Sequence, residues 1–158
     1  MFIRDIRKDL SAPKLPFVIG VMGIGGVKIE EKPDSQKYFR QAQVAATTLP
    51  EFKGNVVAVP TAPYWNDELE RLRERLESLW PKMDSKVAEA IKSNPTLSEA
   101  EVEAVKKQAM NENFGQVEQK LLKATSNGGY HYLGAARILA PIGKAFAEQM
   151  VKLQRSRK

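Results

Sequence analysis

The sequence predicts an α/β fold built on a short parallel sheet and interrupted by a long helical excursion. Three observations carry that expectation. Leu15 to Met22 and Asn55 to Thr61 are short, nearly continuous apolar runs without polar alternation. Such runs fit strands buried on both faces of a parallel sheet. A helical pattern separates them, and strand, helix, strand in that order makes a βαβ unit. Between the second run and the only histidine, residues 66–125 change to helical spacing throughout.

Taken in order, Phe2, Ile3, Ile6 and Leu10 repeat at helical spacing and predict a helix over 2–10, stopped by Ser11-Ala12-Pro13. The first strand follows, and Gly23-Ile24-Gly25-Gly26 lies at its C-terminal end. Residues 27–34 read as a polar loop. Ser35 suits the N-cap of a helix reaching about Thr48, with Phe39, Ala42, Ala46 and Leu49 on one side. Gly54 breaks the chain before the second strand. In the excursion, Leu69, Leu72, Leu76 and Leu79 form the narrow apolar seam of an exposed helix that Pro81 ends. Val87 and Ile91 suggest a short second helix, closed near Asn94-Pro95. Ser98 and Glu101 have the spacing of a capping box for a third helix, which Val117, Leu121 and Leu122 continue toward Lys123. The last helix is expected from about Leu133 to Leu153, with Ala135, Leu139, Ile142, Phe146 and Leu153 as its stripe. Pro141 should kink it or delay its regular start.

With 158 residues, 42% hydrophobic and 28% charged, the chain fits one domain, residues 1–158, with the helical insertion 66–125 inside it. There is no cysteine, which excludes disulfides, cysteine-based zinc sites and a cysteine nucleophile. One histidine excludes a histidine-rich metal site and leaves only carboxylates as metal ligands. No metal and no cofactor is implied. No apolar run approaches the roughly 18 residues that span a membrane. The first eight residues alternate charged and apolar side chains, unlike the apolar core of an export signal.

The net charge of +6 is unevenly spread. Residues 64–125 hold 10 basic and 12 acidic side chains, so the rest of the chain carries the excess, much of it in Lys152, Arg155, Arg157 and Lys158. A basic end can touch nucleic acid, but it also suits a solvated helix C-terminus. No aromatic–basic interleaving supports nucleic-acid binding.

The candidate chemistry centres on His131, in Ser126-Asn127-Gly128-Gly129-Tyr130-His131-Tyr132-Leu133-Gly134. A histidine at the mouth of a helix after a glycine pair suits a general base; the alternative is a structural histidine that hydrogen-bonds a loop. Gly23-Ile24-Gly25-Gly26 lacks the G-x-G-x-x-G spacing of a dinucleotide loop. It reads as a tight strand exit near a pocket, or as a turn needing glycine dihedrals.

Several segments in order now carry a resemblance: Leu15-Pro16-Phe17-Val18-Ile19-Gly20, Phe39-Arg40-Gln41-Ala42-Gln43, Val56 to Thr61, His131-Tyr132-Leu133-Gly134, and Ile142-Gly143-Lys144-Ala145-Phe146-Ala147. Together they resemble the C-terminal part of the sialate O-acetylesterase-like carbohydrate esterases of the SGNH-hydrolase superfamily. The resemblance covers about residues 1–65 and 124–150. It implies a partial flavodoxin-like three-layer α/β/α fold and serine-type hydrolysis of acetylated sugars, with His131 aligned to the family's general base. Family members are often exported. Gly25, Gly26, Thr61, Asn127 and Tyr130 are expected to contribute to the pocket; Arg40 and Gln43 are expected to be structural.

Two departures matter. The family's Gly-Gln-Ser-Asn nucleophile segment and Gln-Gly-Glu oxyanion segment are missing, and none of Ser11, Ser35, Ser78, Ser85, Ser93, Ser98, Ser126 or Ser156 lies in a nucleophile setting. The family often places an Asp three residues before the histidine, where this chain has Gly128 beside Asn127. Asp67, Glu68 or an upstream group remain candidates for the acid. The expectation is therefore a fragment or truncated product, inactive alone, whose open sheet edge needs an upstream segment or self-association. The rival expectation is a non-catalytic module whose helices over 66–125 bind a protein partner.

Overall fold

The computed structural model describes residues 2–28 and 35–156. The expected polar loop lies outside the described residues from Ile29 to Asp34, as do Arg157 and Lys158 of the basic end. The fold is mixed α/β and mostly helical, with a two-stranded parallel sheet. The chain forms two compact units. The first comprises residues 1–65 and 136–158, the second Asn66–Ala135. The second unit is longer than the 66–125 insertion and takes in the His131 turn.

In the first unit, α1 (Phe2–Asp9) leads to β1 (Phe17–Val21), α2 (Ser35–Ala45) and β2 (Val56–Pro60), and α6 (Ala136–Arg155) returns to it. β1 and β2 pair in parallel, Phe17 opposite Val56 through Val21 opposite Pro60. α2 packs on β1, and α6 packs on both strands. Side chains alternate across the pleat. Phe17 and Ile19 join Ile3, Phe52 and Val56 in one cluster, whereas at Gly20 an added Cβ would lie 2.6 Å from Cζ of Phe146 on α6.

Arg7 links α1 to the start of both strands. It is buried, donates to Leu15 O at 3.0 and 2.7 Å and to Asn55 Oδ1, and lies over the Phe17 and Phe52 rings at 5.6 and 5.3 Å. Neutral acceptors and ring faces thus replace the water that this cation gives up.

Three expectations for this unit are corrected. β1 is half-buried rather than buried on both faces, because only one strand flanks it among the described residues. The predicted apolar side of α2 does not face inward: Phe39 is 53% exposed and Leu49 is exposed too, while Arg40 is only 4% exposed. The inner positions go to Arg40 and Gln43 because main-chain groups at the β1 exit need partners there. In α6 the buried side runs through Ile138, Ile142 and Leu153, and Leu139 is exposed. Regular helix begins at Ala136, not Leu133, because Tyr132, Leu133 and Gly134 all have left-handed backbone.

The second unit contains α3 (Asp67–Ser93), α4 (Glu99–Asn113) and α5 (Gln116–Lys123). Asn66 caps α3 by accepting the Leu69 N–H at 2.9 Å. Leu72, Leu79, Met83, Ala109, Phe114 and Leu122 form the core, with Leu76, Met110 and Leu121 against it. Contrary to expectation, Pro81 does not end α3, and Val87 and Ile91 belong to the same 27-residue helix. Proline removes one hydrogen bond from the interior. The helix continues because Leu79 and Met83, on either side, are both buried in the core.

The third helix is also corrected: it divides at Phe114-Gly115, where both residues leave helical dihedrals. Phe114 turns into the core, and Arg75 of α3 covers its ring at 4.8 Å while donating to Asn113 O at 2.9 Å. The Ser98–Glu101 capping box is present as expected. At α5 the Glu118 carboxylate alone supplies the equivalent contact, accepting the Gly115 N–H at 2.9 Å.

Pro81 is exposed, so its main consequence is the lost helix bond. Pro81→Ala is expected to raise stability by about 1–3 kcal/mol. Chemical denaturation of the full chain measures it; an unchanged or lower midpoint would show that the ring makes compensating contacts.

A second expectation concerns acid. Bonds from the Ser98 N–H and hydroxyl hold Glu101 below its ordinary range, and the Gly115 N–H followed by Arg75 does the same for Glu118. A carboxylate depressed in the folded state contributes stability that is complete above its unfolded range and lost as pH falls through its folded value. Amide protection at the starts of α4 and α5 should therefore decline on acidification. Ser98→Ala should weaken that dependence at α4 and leave α5 unchanged.

Candidate functional site

The sequence-predicted residues fall into two groups. Gly25, Gly26 and Thr61 lie in the first unit; Asn127, Tyr130 and His131 lie in the second.

The first group sits where ligands commonly bind in parallel α/β sheets, at the carboxyl ends of the strands. Gly25 and Gly26 have φ of 76° and 72°, and the Gly26 N–H donates to Gly23 O at 3.0 Å. A chain that must turn this sharply after a strand uses glycine because left-handed backbone costs it little. Arg40 clamps the loop, donating to Ile24 O at 2.8 Å and Gly26 O at 3.0 Å. Gln43 accepts the Met22 N–H at 2.9 Å. Thr61 is buried, and its hydroxyl donates to Val21 O at 2.7 Å, so it ties the ends of the two strands together. The structural role expected of Arg40 and Gln43 is visible. Gly23 was not singled out by sequence, yet a Cβ there would land on the backbone of Thr61 and Ala62. Its signal was its place in a run of three glycines within four residues.

The second group is a turn over Thr125–Ala135. Leu133 O accepts the N–H groups of Ser126 at 3.0 Å and Asn127 at 3.2 Å, and Gly128 O accepts those of His131 and Leu133, each at 3.1 Å. The Ser126 hydroxyl donates to Gly134 O at 3.1 Å. Asn127 Oδ1 accepts the Gly128 N–H at 2.8 Å, which commits that oxygen to the turn. Leu133 is 1% exposed and anchors the segment, although it and Tyr132 carry φ of 58° and 52°. Left-handed backbone costs a non-glycine residue about 1–2 kcal/mol. Burial of the Leu133 side chain, worth about 1.5–3 kcal/mol, offsets part of the cost of the two residues.

His131 is exposed, and among the described residues no side-chain hydrogen bond or ion pair reaches its imidazole. Tyr130, 84% exposed, stands beside it. Among the described residues no group of three or more His, Asp or Glu side chains lies close enough to hold a metal ion. No described helix is long and apolar enough to cross a membrane.

Compared with known protein families, with characterised proteins and with solved structures, the chain matches none.

The steric argument at Gly23 gives a direct test. Gly23→Ala is expected to destabilise the chain by about 1–3 kcal/mol, the range for overpacking a filled site. Thermal unfolding measures it; an unchanged midpoint would mean that the β1 exit gives way freely.

Proposed function

We propose that this chain supplies the histidine-bearing C-terminal part of an SGNH-type carbohydrate O-acetylesterase, with His131 as general base and an acetylated sugar as substrate. One observation carries the reading. The turn that presents His131 is held by main-chain bonds, by Ser126 and Asn127, and by the buried Leu133, with none of the bonds made by the imidazole. A structural histidine would use its ring nitrogens to hold its loop. The imidazole makes none of those bonds among the described residues, which supports the general-base reading.

In that mechanism the imidazole takes the proton of a serine hydroxyl. The alkoxide attacks the acetyl carbonyl, and hydrogen-bond donors stabilise the resulting oxyanion. The serine and those donors come from sequence outside these 158 residues, because no serine here sits in a nucleophile motif. On the same reading β1 would have a neighbour along its other edge, which no strand among the described residues pairs with. Phe17 N–H donates to Asn55 O and Thr61 N–H to Val21 O, so Phe17, Ile19 and Val21 turn their main-chain groups toward β2. Val18 and Gly20 therefore turn theirs toward the opposite edge. That edge borders a groove lined by Phe2, Phe17, Val18, Ala42 and Leu49. A further strand from the same enzyme would fill the edge and cover the exposed side of α2.

The test is hydrolysis of 4-nitrophenyl acetate, then of an acetylated sugar. The 158 residues alone should show no serine-dependent hydrolysis. Expressed together with the sequence encoded ahead of Met1, the chain should be active. His131→Ala in that enzyme should lower kcat by about 10²–10⁴-fold with little change in thermal midpoint. Hydrolysis by the chain alone that a Ser→Ala change abolishes would sink the proposal. So would an upstream sequence without a Gly-Gln-Ser-Asn segment, or a His131→Ala variant that melts early and keeps its kcat.

A further inference from the structure

A separate feature of the second unit does not depend on the hydrolase reading. α3, α4 and α5 leave a groove of about 340 Å³ lined by Leu76, Lys107, Met110, Gln119, Leu122 and Lys123. Its floor is apolar: Leu122 is buried, and Leu76 and Met110 pack against the same core while remaining partly exposed. Gln119 is fixed as a wall by donating to Asn111 Oδ1 at 3.1 Å and to Phe114 O at 2.8 Å.

The charge around the floor is one-sided. Acidic side chains outnumber basic ones over residues 64–125, twelve to ten, yet no carboxylate is among the groove's lining residues. Nearby acids are engaged elsewhere: Glu77 with Arg73, Glu103 with Lys106, Glu112 with Lys86 and Glu118 with Arg75. Lys107 and Lys123 are exposed, and among the described residues neither forms an ion pair. The groove thus joins an apolar floor to two uncompensated ammonium groups on different helices.

We propose that this groove docks an acidic amphipathic helix from another protein. A wholly polar anion would leave the Leu76–Met110–Leu122 floor wet. A small ligand site encloses most of its ligand, whereas this groove is open between three exposed helices. A helix with apolar residues at i, i+3 or i+4, and i+7 can lay them on the floor. Glutamates beside that stripe then meet Lys107 and Lys123, with charge complementarity setting orientation and on-rate.

The experiment titrates the full chain into a fluorescein-labelled, acetylated peptide of Leu, Ala and Glu, with Leu at helical i, i+3, i+4 and i+7 positions. A matched peptide carries Lys in place of every Glu. The Glu peptide is expected to bind, more weakly as salt rises, and the Lys peptide to bind at least about tenfold less well. The Lys107→Glu/Lys123→Glu variant should reverse that preference. The neutral Lys107→Gln/Lys123→Gln variant, whose changes lie on exposed positions, should bind both peptides weakly and show little salt dependence. Circular dichroism checks that each variant keeps its helices. Equal binding of the two peptides, an unaltered preference in both variants, or binding to phosphatidylglycerol vesicles without binding to the Glu peptide would overturn the proposal.

Discussion

The parallel pairing of β1 with β2 is the constraint on which the first unit depends. Parallel strands cannot be joined by a tight turn, so the chain must leave β1, cross over and return. α2 is part of that crossover. Its contacts at the β1 exit are polar: Arg40 and Gln43 satisfy carbonyl and amide groups there, and at the same end of the sheet Thr61, after β2, joins the strand ends. Arg7 does the corresponding work at the strand starts. The two strands present among the described residues offer little apolar area to hold the sheet, and hydrogen bonds from buried polar side chains at both ends help fix the register.

The second unit follows a different logic. α3 is one long helix against which two shorter helices pack, and its leucine seam supplies the common surface. Phe114 explains the division between α4 and α5. A continuous helix would carry that ring past the seam; an extended residue at Phe114 lets it enter the core, and Arg75 then spans the junction. Here burial of one aromatic side chain outweighs the loss of helix bonds at a single position.

What was legible in the sequence divides along the same lines. The two strands, α1, the leucine seam and the Ser98–Glu101 cap could be read from local pattern, because periodicity and short-range hydrogen bonds act within a few residues. The path of α3 through Pro81 could not, since a proline's cost is overridden only by packing that sequence does not display. The inner side of α2 is hidden from local pattern for a related reason. Hydrophobicity ranks Phe39 above Arg40, but the strand exit needs donors, and only the folded neighbourhood shows that need. At the candidate site, the glycine conformations at Gly25 and Gly26 were foreseeable from composition. The left-handed Tyr132 and Leu133 were not, because neither residue type favours that region.

Those two residues bear most directly on His131. Holding a tyrosine and a leucine in left-handed backbone requires compensation from elsewhere. The compensation is visible and local: Leu133 is buried, and its carbonyl collects two N–H groups while Gly128 O collects two more. The path of the chain through residue 131 is therefore settled by its neighbours. Among the described residues the supports are main-chain groups, the Ser126 and Asn127 side chains and a buried leucine, so the turn is built without the imidazole. The general-base proposal rests on that separation of ring and scaffold, which the sequence, a glycine pair and a tyrosine on either side of one histidine, does not display.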